Sequence, residues 1–357
     1  MAIVKLGDIA IEAKSSNKGD KNGMKIVALE HLTPSNVTLS CWSDDANNSF
    51  TKEFSKGDVL FGRRRAYLKK AVVAPFNGIC SGDITVIRAI EDKVDPNLLP
   101  FIIQNDFFFE FAVGKSAGSL SPRVKWTHLK EFAIELPSMP EQSKLAEVLW
   151  AIYDMKDKYK KLILATDELV KSQFIEMFGT VEKNTKNWKV KTWNDILFIR
   201  NGKAHKCVND PDGEYPIYGS GGIMGKAKEY LSPEHTIILG RKGTIDKPFI
   251  SYEKCWIVDT AFGLEVDPSI INYRYFHQWC TLFDFQTLNR AAVLPSLTKG
   301  DLLKIHIIVP PLEKQNAFVE FVEQSDKSKF ALQEAVKDLD VLSKKIIAEN
   351  LIPVGKE

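Results

Sequence analysis

The segment of this chain that most resembles a catalytic motif lacks two of that motif's essential members. Residues 218–227 end in Gly-Lys like a phosphate-binding loop, but Ser220 stands where such a loop has its first glycine. Ala227 stands where the loop has the hydroxyl that contacts magnesium. A turn that needs the conformational freedom of glycine explains the segment more simply. Nucleotide binding is therefore not predicted here.

Other catalytic and metal-binding patterns are also incomplete. Adenine methylation uses an Asn/Asp-Pro-Pro-aromatic motif, whereas residues 210–212 and 267–269 have Asp-Pro without the second proline or the aromatic residue. Asp8 followed by residues 12–14 only faintly resembles a nuclease carboxylate-lysine cluster. The six histidines show no metal-ligand spacing, and His306 is expected to be an ordinary strand residue. The sequence predicts neither catalysis nor a bound metal.

Basic side chains are concentrated in two segments that correspond to each other. Residues 61–70 carry five cations with interleaved aromatic residues, and residues 239–247 carry three cations. Arginine fits phosphate oxygens and the O6/N7 edge of guanine, and glycine lets the backbone approach a groove. The predicted DNA contacts in these segments are Arg63, Arg64, Arg65, Tyr67, Lys69, Lys70, Arg241, Lys242, Thr244 and Lys247.

A second pair of segments, residues 116–125 and 289–299, mixes short polar side chains with cations, as DNA-contacting loops do. A solvated basic hairpin is the alternative for any single residue, but the occurrence of both clusters in both halves favours DNA contact. The predicted contacts here are Ser121, Arg123, Lys125, Arg290, Ser296, Thr298 and Lys299, and Lys203, Tyr218 and Ser220 complete the set.

The second half of the chain repeats the first. Pro137 and Pro310 lie 173 residues apart, as do Gln142 and Gln315, in similar surroundings. Ordered matches continue upstream with small shifts. They pair residues 121–124 with 294–297, 57–63 with 235–241, and 95–99 with 267–271. A repeat of this length indicates duplicated whole domains. Within the first copy, strands are predicted at residues 59–61, 84–87 and 132–136, and a helix over 98–113.

A long amphipathic helix is predicted after each domain. From residue 145 to 173 a stripe advances by alternating steps of three and four, and the same register runs from 318 to 346, weakened at Ser325 and Ser328. Gly179 is a suitable stop for the first helix. Each helix, roughly 45–60 Å long, needs an apolar partner, and the other helix is the obvious one.

The predicted fold class is α+β. Two duplicated α/β domains, residues 1–137 and 180–310, are separated by two long antiparallel helices that form a coiled coil with pseudo-twofold symmetry. These helices occupy residues 138–179 and 311–351.

Composition restricts the class of protein. Hydrophobic content of 44% and charged content of 26% are those of a soluble globular protein. Five cysteines without a Cys-x-x-Cys pair indicate reduced thiols, and neither a signal peptide nor a membrane-spanning run is visible, so a cytoplasmic location is expected. The net charge of +2 does not itself indicate nucleic-acid binding.

Several segments, in a fixed order along the chain, together form a specific pattern: residues 61–67 with 78–83, 136–137 with 141–142, 171–179, 215–222 and 309–315. In these segments and over essentially its whole length, the chain resembles the DNA-specificity subunit of type I restriction-modification systems. Lys314 departs from the family's usual Glu-Gln pair.

The resemblance implies a non-catalytic recognition subunit. The two duplicated α/β domains would be target-recognition domains, each for one half of a bipartite site in double-stranded DNA. The helices would set the spacer and dock two modification (methyltransferase) subunits. It implies no cofactor in this chain: S-adenosylmethionine, ATP and magnesium would belong to the modification subunits and to restriction subunits. Two alternatives remain from the residues alone: a scaffold whose duplicated domains bind proteins, and the recognition part of a fused restriction enzyme.

Overall fold

The computed structural model describes residues 2–289 and 295–354. The chain folds into two compact units. The first comprises the residues up to Lys160 together with those from Gln333 onward, and the second runs from Lys161 to Leu332. Both boundaries fall inside long helices, so each unit contains half of each.

The elements of the first unit, in chain order, end with a long helix whose second half belongs to the second unit. They are β1 (Ala2–Lys5), α1 (Leu6–Ile9), β2 (Ala10–Glu12), β3 (Lys25–Val27), β4 (Lys52–Phe54), β5 (Val59–Gly62), β6 (Ala71–Val73), β7 (Gly78–Cys80), β8 (Ile84–Ala89), α2 (Leu99–Ile103), α3 (Asp106–Gly114), α4 (Trp126–Leu129), β9 (Ala133–Leu136) and α5 (Met139–Phe178).

The second unit adds nine strands and ends on the second long helix, as far as the described residues show. Its elements are β10 (Lys189–Thr192), β11 (Leu197–Asn201), β12 (Tyr215–Gly219), β13 (Gly222–Ala227), β14 (Thr236–Gly240), β15 (Phe249–Ser251), β16 (Trp256–Ile257), β17 (Ala261–Val266), α6 (Tyr273–Leu282), α7 (Lys299–Leu302), β18 (His306–Val309) and α8 (Leu312–Asn350).

The sheets of the two units have matching topology. A four-stranded sheet has the order β2-β8-β5-β6 in the first unit and β11-β17-β14-β15 in the second. Each unit also has a two-stranded antiparallel sheet, β1-β9 in the first and β10-β18 in the second. The three-stranded sheets both contain a parallel pair but differ in their central strand, which is β7 in one and β12 in the other. The duplication predicted from sequence is thus a duplication of fold.

The predicted strands are confirmed. The prediction of one continuous helix over 98–113 is wrong, because the structure has two helices there. α2 ends at Ile103 and α3 begins at Asp106. The Asn105 side chain between them accepts a hydrogen bond from the Phe107 amide at 3.0 Å and so caps α3. Gln104 donates its side chain to the carbonyls of Asn36 and Ala71, which fixes the break.

Within each unit the halves of α5 and α8 pack antiparallel. In the first unit, Leu149 of α5 belongs to the core against which Ile346 packs, and Lys156 pairs with Asp340 further along. In the second unit, Lys329 pairs with Asp167 at 2.5 Å, and the rings of Phe174 and Phe318 lie 5.4 Å apart. In both cases later residues of one helix meet earlier residues of the other.

Two details of the long helices explain their sequence. Gly179 has a φ of +87° and its amide bonds to the Ile175 carbonyl at 2.8 Å, which confirms the predicted helix stop. Ser325, which weakens the apolar stripe, is buried and donates its hydroxyl to the Phe321 carbonyl at 2.9 Å. The polar group at this position therefore has a partner inside its own helix.

The repeated glutamine at the start of each long helix joins the helix to its unit. Gln142 accepts a hydrogen bond from the Asp95 amide at 2.9 Å and donates to the Pro137 carbonyl at 3.0 Å. Gln315 accepts from the Asn272 amide at 2.8 Å and donates to the Pro310 carbonyl at 2.7 Å. Both side chains are buried, so the spacing of proline and glutamine reflects a structural junction.

Candidate nucleic-acid interface

The two basic segments of the first unit are neighbours, held together by backbone hydrogen bonds. The Arg63 amide bonds to the Asp83 carbonyl at 3.0 Å, the Arg65 amide to the Pro122 carbonyl at 2.8 Å, and the Val124 amide to the Arg63 carbonyl at 3.0 Å. The loop after β5 is thereby fastened to the loop after β7 and to the segment before α4. Sequence predicted both segments but not their proximity.

The second unit repeats the same three bonds. The Arg241 amide bonds to the Thr260 carbonyl at 2.8 Å, the Gly243 amide to the Pro295 carbonyl at 3.0 Å, and the Leu297 amide to the Arg241 carbonyl at 2.9 Å. Each bond joins residues that occupy the same places in the fold as those of the first unit. The same local framework therefore presents a basic loop in both units.

Asp83 organises two predicted DNA contacts of the first unit. Its carboxylate accepts two hydrogen bonds from the Arg123 guanidinium, at 2.7 and 3.0 Å, and lies 3.8 Å from Nη1 of Arg64. Arg64 Nε donates to the Ser121 hydroxyl at 2.6 Å. The Arg123 guanidinium holds the pKa of Asp83 below its usual value. Asp83, Arg64, Arg123 and Ser121 are called the Asp83 cluster below.

The role of Asp83 was missed by the sequence analysis, although residues 78–83 contribute to the family resemblance. The sequence feature that could have indicated this role is a single carboxylate, Asp83, placed between Ser81-Gly82 and the predicted strand that begins at residue 84. In the second unit Thr260 takes the equivalent place, so no carboxylate stands there. The two units thus share a framework but differ in the side chains that it orients.

The remaining candidates of the first unit fall into two groups. Arg65, Tyr67 and Lys125 are exposed, and no hydrogen bond or ion pair engages the Arg65 or Lys125 side chain among residues 2–289 and 295–354. Lys69 instead pairs with Asp106 at 2.5 Å. Two further candidates are half-buried: Lys70, which donates to the Leu29 carbonyl, and Arg63.

In the second unit the exposed cations are lysines. Lys203, Lys242 and Lys247 are exposed. Arg241 is half-buried, with its guanidinium 5.6 Å from the centre of the Phe262 ring. Arg290 lies outside the described residues.

The tight loop after β14, which carries Arg241 and Lys242, requires glycine at position 240. A methyl group added to Gly240 would stand 1.8 Å from the Thr244 carbonyl oxygen, and Gly243 has a φ of +85°. Ser220 packs against this loop, since the same added methyl group would lie 3.2 Å from its Cβ. The segment that resembled a phosphate loop therefore supports the basic loop of this unit.

Several predicted contacts take part in hydrogen bonds of the framework or are buried in it. Thr298 caps α7 through the Asp301 amide at 3.2 Å, and the Ser296 amide donates to the Asn289 side chain at 3.1 Å. Lys299 donates to the Ile199 carbonyl at 2.7 Å. Tyr218 is only 8% exposed, and burial raises the pKa of its hydroxyl. These four residues are parts of the framework in this structure.

The described residues contain no group of three or more His, Cys, Asp or Glu side chains arranged to hold a metal ion. Within the same ranges, no helix combines the length and apolar character that crossing a membrane requires.

A family model described as "Type I restriction modification DNA specificity domain" matches residues 1–165 and 185–339. The chain belongs to this family. This match confirms the resemblance drawn from the sequence. A specificity subunit is the non-catalytic recognition component of a type I restriction-modification complex.

Curated relatives agree. The putative type I restriction enzyme MjaX specificity subunit of Methanocaldococcus jannaschii is 21% identical over 94% of this chain and 88% of its own length. The EcoDI specificity subunit of Escherichia coli is 24% identical, over 37% of this chain and 31% of that protein.

Solved structures share the fold. The S subunit of a type I restriction-modification system from M. genitalium has a TM-score of 0.62 at 14% identity, covering 97% of this chain and 94% of that one. A chain from a study of complex assembly and conformational transition of a type I R-M system has a TM-score of 0.55 at 16% identity, covering 98% and 97%. These likenesses confirm the predicted α+β fold with paired long helices.

Proposed function

We propose that this specificity subunit recognises a bipartite sequence in double-stranded DNA, with one target-recognition domain on each half. The domains are residues 1–137 and 180–310, and the helices are residues 138–179 and 311–351. The observation that carries this proposal is the repeated set of three backbone hydrogen bonds, which presents a basic loop in both units. A framework that occurs twice, with different side chains mounted on it, fits two related surfaces for two different half-sites.

Within each domain the exposed cations and the engaged arginines have different roles. Arg65 and Lys125 in the first unit, and Lys242 and Lys247 in the second, neutralise phosphates and set the register on the duplex. The Asp83 cluster holds two guanidinium groups in fixed orientations beside them. Pre-oriented donors suit base edges in the major groove, where donor and acceptor patterns identify each base pair.

The paired helices set the spacer between the half-sites. Half-sites separated by roughly 34 Å, one turn of B-DNA, lie on the same face of the duplex. Inserting four residues into each helix, after Lys160 in α5 and after Leu332 in α8, adds about 6 Å at 1.5 Å per residue. We expect the spacer to lengthen by one or two base pairs while both half-sites stay the same. A change in the bases recognised would contradict a purely geometric role of the helices.

The helices also dock the partner subunits. Apolar side chains remain exposed on the helix halves of the first unit, including Met155 (44%) and Val341 (68%), and of the second, including Leu164 (66%) and Phe330 (64%). Exposed apolar groups on helices fit protein partners. Two modification subunits, which carry S-adenosylmethionine, bind here, and restriction subunits that use ATP and magnesium join them in the cytoplasm.

The proposal is tested by mapping methylated adenines in host DNA with and without this chain. We expect one motif of two short halves separated by a fixed unread spacer, which disappears when the gene is deleted. In parallel, the subunit purified with its modification subunits should protect that motif and not a scrambled duplex. Unchanged methylation after deletion, together with no binding by the complex, would favour a protein-binding scaffold instead.

A further inference from the structure

Leu120 is the most exposed large hydrophobic side chain in the part of the chain that the structure describes, with 90% of its surface open. It stands in the loop between Ala117 and Arg123, whose backbones exchange two hydrogen bonds of 3.0 and 2.9 Å. Single exposed leucines are common on protein surfaces. The significance of this one depends on how the loop holds it and on what surrounds it.

The loop is fixed on both sides of the leucine. On the far side, the Ser121 hydroxyl accepts from Arg64 Nε at 2.6 Å and the Pro122 carbonyl accepts from the Arg65 amide at 2.8 Å. On the side before the leucine, Ala117 is held by its two backbone hydrogen bonds to Arg123, and Gly118 makes the turn with a φ of +114°, which glycine tolerates. Leu120 is therefore held away from the core on the same surface as the basic loop.

The groups beside Leu120 are suited to DNA. Arg64 donates to the residue that directly follows the leucine, and Arg123 closes the same loop. Guanidinium groups bind phosphates and the guanine edge in the major groove. The apolar feature of base edges in the major groove is the C5 methyl group of thymine, which apolar side chains can contact.

We propose that Leu120 recognises a thymine methyl group in the half-site of the first unit. This inference rests on the proposed function and adds a base-contacting residue to it. Burial of the methyl group against the leucine contributes affinity at a thymine and little at any base that lacks the methyl group. A phosphate contact would have no such dependence.

The test replaces each thymine of the mapped first half-site by uracil, which removes only the methyl group. Binding by the complete complex with its modification subunits is measured for wild type, Leu120→Ala and the control Ile3→Ala, whose side chain is 65% exposed on β1. At one position, uracil should weaken wild-type binding about fourfold, as expected for one methyl group. Leu120→Ala should weaken binding to thymine DNA similarly and should be insensitive to uracil there, with an unchanged salt slope.

Ile3→Ala should behave as wild type. The inference is overturned if Leu120→Ala keeps the wild-type ratio of thymine to uracil affinity at every position, whether or not its overall affinity falls. It is also overturned if no thymine shows a response to uracil in the wild type. In each of these cases specific binding persists and the proposed function stands. Absence of any sequence-specific binding by the complex would overturn both.

Discussion

Nζ of Lys329 lies 2.5 Å from the Asp167 carboxylate, and the repeat maps this pair onto Lys156 and Asp340 with the roles of the helices exchanged. Subtracting 173 from Lys329 gives Lys156, and adding 173 to Asp167 gives Asp340. In each unit, then, a lysine from one long helix meets an aspartate from the other at equivalent positions. Each unit carries its own copy of this link between α5 and α8.

We expect each link to contribute modestly to stability. The Asp167 side chain is 54% exposed, and partly exposed ion pairs contribute about 0.2–1 kcal/mol because water and salt screen them. A double-mutant cycle of Lys329→Met and Asp167→Asn should give a coupling energy in that range from urea unfolding. A coupling above about 2 kcal/mol would mean that the pair has a larger role than its exposure allows.

Asp83→Asn should reduce discrimination while strengthening non-specific binding. The variant removes the carboxylate that holds Arg123 at two points, so the local charge rises by one, Arg123 loses its fixed orientation, and Arg64 keeps only its bond to Ser121. The slope of log affinity against log salt should become steeper by about one, and the ratio of specific to non-specific affinity should fall about tenfold or more. Asp92→Asn, an exposed carboxylate of the same unit, is the matched control. An unchanged ratio would remove the Asp83 cluster from the recognition surface.

Gln315→Leu should destabilise the second unit by about 2–6 kcal/mol. The variant leaves the Asn272 amide and the Pro310 carbonyl without their partner, and each buried unpaired group costs about 1–3 kcal/mol. Gln324→Leu changes an exposed glutamine of the same helix and should have little effect. The measurement is the denaturant midpoint, and equal effects of the two substitutions would show that the buried junction is not needed.

The second unit should lose stability as the pH falls below about 6.5. Burial lowers the pKa of His277, whose Nε2 lies 3.1 Å from the Pro248 carbonyl. The unfolded chain therefore binds a proton that the folded unit does not, so stability is full above the ordinary histidine pKa and declines below it. Comparison of melting temperatures at pH 7.5 and 5.5 should show a smaller drop for His277→Gln than for wild type. The exposed His306 supplies the control His306→Gln, which should keep the wild-type drop.

Much of the fold was predictable because it depends on short-range patterns. Gly179 ended α5 as predicted, since a glycine stop needs only local conformation. The shared surroundings of Gln142 and Gln315 indicate the duplication directly, because both copies keep the same buried junction. Asn105 was misjudged because its capping preference competes with the apolar spacing around it, and the contacts of Gln104 decide the break.

The site was less predictable because it depends on contacts between distant segments. Asp83 meets Arg64 and Arg123 from positions 19 and 40 residues away, which no local pattern encodes. Tyr218 is a predicted contact, and its burial in the sheet at β12 depends on strands that are distant in sequence. Thr298 has the residue type of a DNA contact and also that of a helix cap, and only the structure assigns it to α7.

The most direct measurement compares methylated motifs in cells that carry variants of one unit at a time. One variant carries the first domain, residues 1–137, of a related specificity subunit, and the other carries the second domain, residues 180–310, of that relative. If each unit recognises its own half-site, each exchange changes the bases of one half of the methylated motif, a different half for each, and the spacer stays constant. A change in both halves from either exchange would contradict the central claim.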